Sequence, residues 1–218
     1  MSSTPDDTRA RLVEAAEQLF AERGLDAVSL REINRAAGAR NAMAVQYHLA
    51  DRSGVLRAIL DKHTPDIEAR RHAMLDQYEA EGRSEVRFLA AALVRPMAAK
   101  LADPRGGRAF LQIYADLLNR PQPELSAFVN GEGMSMARWR VLLEPLLEQD
   151  AARLHRRFTA ILYAAVELGR RARSGPGKDD RLFTSYVVDV VTAILAAPVS
   201  EETRRLAGER DDRVSGGR

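Results

Sequence analysis

Residues 29–48, SLREINRAAGARNAMAVQYH, decide how this chain is read. Ser29 with Glu32 three positions later is a capping box, which predicts a helix opening at Leu30 and burying Ile33 and Ala37. Ala37-Gly38 makes a turn, and a second short helix is expected from about Asn41 to Leu49. On a 100° wheel drawn from Asn41, Ala42, Val45 and Leu49 gather on a packing side, while Arg40, Met43, Ala44 and Tyr47 gather opposite. An outward face with a cation at its start, small apolar groups and an aromatic hydroxyl suits the major groove of DNA. There arginine chelates guanine and apolar groups touch thymine methyls. Gln46, at the flank, is able to pair with adenine or merely to bond solvent.

Working outward, groups suited to phosphate surround this face. The backbone N–H groups at Ser29 and Leu30 open a helix, and Arg31, His48 and Arg52 border the same ground. From Ser29 to Arg57 the basic residues are Arg31, Arg35, Arg40, Arg52 and Arg57, against Glu32 and Asp51. Acidic residues of the preceding segment, among them Glu14, Glu17 and Glu22, fit a helix that supports from behind.

The chain-wide balance is uninformative beside this local excess. The 218 residues carry 33 basic and 31 acidic side chains, a formal charge of +2. This length suits one medium domain or a small domain on a larger one. The absence of cysteine removes disulfides, thiolate metal sites and cysteine nucleophiles. The polar start MSSTPDDTRAR has no apolar core of a secretory signal, and no uncharged apolar run reaches the ~18 residues of a membrane span. The expectation is a soluble, cytoplasmic protein with no membrane partner.

Helix signals continue throughout, so the fold class expected is all-α. A first helix follows Thr4-Pro5 and closes at Gly24, with Leu12, Ala16, Leu19 and Phe20 as its apolar stripe. A fourth starts after Asp51, and Thr64-Pro65 either kinks it or begins another. Further helices are expected from Ser84 to about Ala102 and from Arg108 to Asn119. One or two more lie between Glu124 and Glu148, with a break near Gly131 and Gly133. Two strong helices follow, Asp150 to Arg173 and Asp179 to Ala197. The valines of the last favour strand by propensity, but its length and the spacing of Phe183, Val187, Val190 and Ile194 favour helix. Residues 201–218, charged and glycine-ended, read as a disordered tail.

From Thr8 to Leu60 the chain resembles the DNA-binding region of the tetracycline-repressor (TetR) family. The marks are Ala15-Ala16, Leu19-Phe20, Arg23-Gly24, Ser29-Leu30-Arg31-Glu32-Ile33, Ala36-Ala37-Gly38, Tyr47-His48-Leu49, and Asp51-Arg52 before Val55-Leu56. The resemblance implies a three-helix helix-turn-helix domain over 1–50 and a larger helical ligand-binding and dimerisation domain over 51–200. It implies that Tyr47 and His48 contact backbone phosphate and sugar, that Gln46 and Ala44 face bases, and that Arg52 meets phosphate. With Ser29 and Arg31 from the phosphate-facing helix start, and Arg40, Asn41 and Met43 from the wheel, these form the expected DNA-binding set. Three features depart from the family pattern: one extra residue between Gly38 and His48, Asn34 for an alanine, and Leu49 for a phenylalanine.

The resemblance further implies a homodimer on double-stranded operator DNA, joined by the last two long helices, with Phe158, Leu162, Phe183, Tyr186, Val187, Val190 and Ile194 as interface candidates. It also implies a pocket in the middle helices for a largely apolar small-molecule effector. Met97, Phe110, Tyr114, Phe128, Trp139, His155 and Phe158 are the candidate lining, with Met134 and Met136. Arg95, Gln112, Asn119 and His155 are candidate polar contacts. The function expected is a ligand-responsive transcriptional regulator, a repressor released by its effector. The alternative is a helical protein-interaction dimer whose DNA-binding domain has degenerated through the inserted residue. An enzyme is not expected: there is no G-x-S-x-G, no Walker lysine, no dinucleotide fingerprint and no i, i+4 histidine pair, so no cofactor or metal is implied.

Overall fold

A computed structural model describes residues 5–39, 41, 43–82, 84–120, 134–148, 150–151, 154–175 and 179–215. Among them are ten α-helices and no strand: α1 (Pro5–Arg23), α2 (Leu30–Ala36), α3 (Ala44–Leu49), α4 (Arg52–Ala80), α5 (Val86–Ala98), α6 (Gly107–Leu118), α7 (Ser135–Leu143), α8 (Arg156–Arg173), α9 (Asp180–Ala196) and α10 (Glu201–Ser215). The expected cap at Thr4, the roles of Arg40, Ala42 and Phe128, and the break at Gly131 and Gly133 lie outside the described residues.

Local chemistry places the helix ends. Ser29 and Glu32 form the full capping box, each satisfying a backbone N–H of the other. Asp51 caps α4 by accepting the Gly54 N–H at 2.8 Å. Pro65 neither ends α4 nor divides it, and the helix runs through it for 29 residues. A buried stripe spaced by three and four follows α4 from Val55 and Ile59 through His63, Ile67 and Arg71 to Leu75 and Tyr78. Burial on both sides explains the length: the lower part of α4 packs into one apolar core and the upper part into another.

The first core joins Leu12, Phe20, Ile33, Val45 and Leu49 of the first three helices to Ile59 of α4, Phe110 and Ile113 of α6, and Leu168 of α8. The second gathers α5, α7, α8 and α9 around Leu89, Trp139, Ile161 and Val187. The apolar interior therefore crosses residue 50, where the sequence reading placed a domain boundary. A bidentate pair from Arg120 at the end of α6 to Asp26, at 2.9 and 2.6 Å, adds a second tie. The Arg120 hydrogen bonds hold the Asp26 carboxyl below its ordinary range.

Two expectations need correction. The helix expected from Asp150 does not run unbroken to Arg173: His155 sits in the left-handed region at φ 57°, and α8 begins after it. The tail read as disordered is helical from Glu201 to Ser215. Ser200 Oγ accepts the Thr203 N–H at 3.2 Å, Arg204 pairs with Glu148 and Asp150, and Ala207 is buried. Glutamates at the start of α10 and arginine in its last turn suit the helix dipole, so high charge here accompanies order. The valine-rich segment is helical as read, burying Val187, Val188, Val191 and Leu195.

No single helix among the described residues is long and apolar enough to cross a membrane. One bent pair, Asp180–Ala196 with Glu201–Arg213, passes by length and composition alone, and the buried residues of α9 belong to the protein's own core.

Candidate DNA-binding face and helical cavity

Gly38, at φ 62°, takes the left-handed turn that ends α2, and the Ala39 N–H returns to the Asn34 carbonyl at 3.0 Å. Asn34 then does what the alanine of the family pattern cannot. Its buried Oδ1 accepts the Val45 N–H at 3.0 Å and satisfies a first-turn donor of α3. Asn41 Oδ1 accepts the Met43 N–H at 2.9 Å, an Asx turn that delays α3 to Ala44 instead of the expected Asn41.

This later start changes the face. Ala44, expected to point at bases, is only 5% exposed and packs with Val45 and Leu49. Met43, Gln46 and Tyr47 are exposed, Tyr47 at 81%. His48 is half-buried, its ring edge-on to Tyr47 with centroids 4.9 Å apart. Arg31 and Asn41 are exposed beside them, and Arg40 lies outside the described residues.

Two expected phosphate anchors have other work. The Ser29 N–H and hydroxyl both donate to Glu32 Oε2 at 2.8 Å, so the cap occupies them. Bonds from the Ser29 backbone and hydroxyl, and then from Arg23, hold the Glu32 carboxyl at about 2. Arg52 turns inward: its guanidinium donates to the carbonyls of Leu25 and Val28 and lies 5.8 Å from the centroid of the Phe20 ring. It holds the α1–α2 connection against the start of α4. Arg52→Ala is therefore expected to lower stability by about 2 kcal/mol, leaving two carbonyls without their charged donor. Urea denaturation checks this; unchanged stability with a flatter salt dependence of DNA binding would return Arg52 to the phosphate set.

Residues 12–43 match the family model described as bacterial regulatory proteins, tetR family. Over this segment the chain carries a tetR-family DNA-binding region. No curated protein matches it. The match covers α1 from Leu12 onward, α2 and the turn, and ends at Met43, directly before α3. A tetR-family head makes this chain a DNA-binding transcriptional regulator.

Deeper in the tetR-family protein, α4, α6 and α7 enclose a small cavity of about 40 Å³. Met97, Phe110, Tyr114, Met134 and Met136 line it, as the sequence suggested. Trp139 does not: it is fully buried in the second core and its Nε1–H donates to the Leu89 carbonyl at 2.8 Å. His155 and Phe158 are exposed at the start of α8 and also stand elsewhere. Of the expected polar contacts, Arg95, Gln112, Asn119 and His155 are all absent from the lining. Thr64, Glu68 and Arg71 take that place, together with the Tyr114 hydroxyl. Sequence reasoning missed Glu68 and Arg71, although Arg71 falls on the stripe continued by Ile67 and Leu75.

A polar cluster lies below the cavity. Glu17 of α1, 2% exposed, accepts from Lys62 Nζ at 2.5 Å and is 2.7 Å from His63 Nε2. The His63 ring stacks on Phe110, centroids 4.6 Å apart, and Phe110 is a cavity wall. Asp103 faces His63 Nδ1 at 3.9 Å. Burial would raise its carboxyl, but the Arg105 N–H and the Lys100 ammonium outweigh that and hold it at about 2. The head and the cavity thus share one chain of contacts.

On the opposite side, Phe158 of α8 and Tyr186 of α9 are 51% and 59% exposed, with Leu162, Phe183, Val190 and Ile194 half-buried around them. Leu182 is exposed as well and is not among the residues the sequence pointed to. Val187 is fully buried within the chain and leaves the candidate interface set.

Proposed function

We propose that this regulator binds a palindromic operator as a homodimer, in the cytoplasm, and that a small molecule in the α4–α6–α7 cavity releases it, so that it acts as a repressor. The observation that carries the reading is the exposed Tyr47, with Met43 and Gln46, on a short helix braced by Asn34 within a tetR-family head. Met43, Gln46 and Arg40 are the proposed base-facing residues, and Tyr47, His48 and Arg31 the proposed backbone contacts. Phe158, Leu162, Phe183, Tyr186, Val190, Ile194 and Leu182 are the proposed dimer face, an apolar surface that a solitary helix pair leaves to water. The contacts from Phe110 through His63 to Glu17 support a coupling in which cavity occupancy biases the spacing of the two heads.

The test is a footprint on DNA flanking the chain's own gene, with purified protein at moderate salt. Protection of a near-palindromic site with half-sites about one helical turn apart, or a multiple of it, is expected. Binding without sequence preference would end the regulator reading and favour a protein-interaction role. Tyr47→Ala is expected to weaken operator binding about ten-fold, the worth of one phosphate hydrogen bond. Because Tyr47 is so exposed, thermal stability should stay unchanged within ~0.5 kcal/mol. A stability loss that accounts for the lost binding would make Tyr47 a packing residue instead.

A further inference from the structure

We propose that the cavity recognises a small, largely apolar carboxylic acid, its carboxylate held by Arg71 Nη2 and the Tyr114 hydroxyl. This rests on the reading of the cavity as the effector site and adds the chemical class of its occupant. Arg71 is 3% exposed, and two of its three nitrogens are satisfied. Nε donates to the Ala92 carbonyl at 3.1 Å, and Nη1 donates to Glu68 Oε1 at 3.2 Å and Ser135 Oγ at 2.9 Å. Nη2 has no hydrogen-bond partner among the described residues, and neither has Tyr114 Oη. Glu68 turns its second oxygen to the Ser135 N–H, which it accepts at 2.6 Å.

A largely buried guanidinium with one nitrogen free to donate gains from a ligand that brings acceptors to it. The unspent groups of the lining residues are donors: two N–H bonds of Arg71 Nη2 and the Tyr114 phenol O–H, with the Thr64 hydroxyl able to serve either way. Burial pushes the Tyr114 phenol up, so it stands protonated and donates. The charges acting on that phenol are the guanidiniums of Arg71 and Arg140 against the single carboxylate of Glu68, which favours an anion over a neutral carbonyl. The rest of the lining is apolar, with Leu60, Ile67, Met97 and Phe110. At about 40 Å³ the space takes little more than the carboxylate itself, and the unbranched Met97, Met134 and Met136 are the side chains able to swing aside for its carbon tail.

The experiment uses full-length protein without DNA, titrated calorimetrically with sodium benzoate and sodium octanoate and, in parallel, with their methyl esters. Saturable binding of an acid, about ten-fold or more tighter than its ester, is expected. Tyr114→Phe should weaken the acid about ten-fold and leave the ester unchanged, narrowing the difference. Arg71→Lys should weaken it further; should that variant fail to fold, Tyr114→Phe carries the test. Equal binding of acid and ester, no binding of either acid, or an acid affinity indifferent to Tyr114→Phe overturns the proposal. A failed operator footprint would leave this titration standing, so the two readings fail separately.

Discussion

Gly54→Ala is expected to lose about 3 kcal/mol of stability or more, and with it sequence-specific DNA binding. A Cβ at residue 54 would lie 1.8 Å from the Leu49 carbonyl oxygen and 2.9 Å from its carbon, both backbone atoms that cannot swing away. The first turn of α4 sits directly on the end of α3, and relief requires the two helices to separate. Separation also breaks the Asp51 cap, whose acceptor bond is to the Gly54 N–H. Overpacking of a close contact costs about 1–3 kcal/mol, and loss of a cap adds ~1 kcal/mol. Gly208→Ala is the control: α10 has open space there, and the change should be neutral or stabilising by up to ~1 kcal/mol. Urea denaturation of both variants, read as the midpoint at unchanged slope, measures the difference. Equal stabilities would mean that α3 and α4 are not held as tightly as this contact requires.

Glu17→Ala is expected to cost about 3 kcal/mol by a different route. The substitution leaves Lys62 and the buried His63 facing an empty space, and breaking a buried ion pair by removing one partner typically costs 3–5 kcal/mol. Lys62 is partly exposed and can turn to water, which places the expectation at the low end. Glu17→Gln keeps the shape and a carbonyl acceptor, so it should recover part of the loss. A double-mutant cycle with His63 and thermal denaturation of each variant gives the coupling. If Glu17→Ala is as stable as the parent, the cluster below the cavity does not hold α1 to α4. Should stability fall while effector response is untouched, the link from Phe110 to the head is structural only.

The helices and the turn were legible because their signals are local. Ser29 and Glu32 announce a cap, Asp51 another, and Gly38 a left-handed corner, each through chemistry within a few residues. The start of α3 was misread because it depends on two side-chain carbonyls, Asn41 at the turn and Asn34 eleven residues before Val45. No period in the sequence reports such bonds. The inward bonds of Arg52 were illegible for the same reason: a surface position beside a DNA-reading helix suits phosphate, and no period reports that the Leu25 and Val28 carbonyls accept from it. For the cavity, type alone pointed to Met97, Phe110, Tyr114, Met134 and Met136 but also to Trp139 and Phe158, which stand elsewhere, and it missed Leu60, Ile67 and the polar residues. Arg71 and Glu17 lie on buried stripes, and an ionisable group on such a stripe, next to Ile67 or Ala16, is the signal that could have marked them. The charge of 201–215 misled because composition alone does not register Glu148 and Asp150 waiting to pair with Arg204.

The apolar interior that runs from Phe20 and Val45 into Phe110 and Leu168 bears on how such a protein can be taken apart. A reading head joined to its body by a bare linker can be exchanged between relatives as a cassette. Here a graft cut at residue 50 would part α1, with Leu12 and Phe20, from α4 and α6 and leave α6 with an uncovered side. A working chimaera would have to carry matching faces of α6 and α8 with the new head, so the reading head and the body of this chain are set to change together.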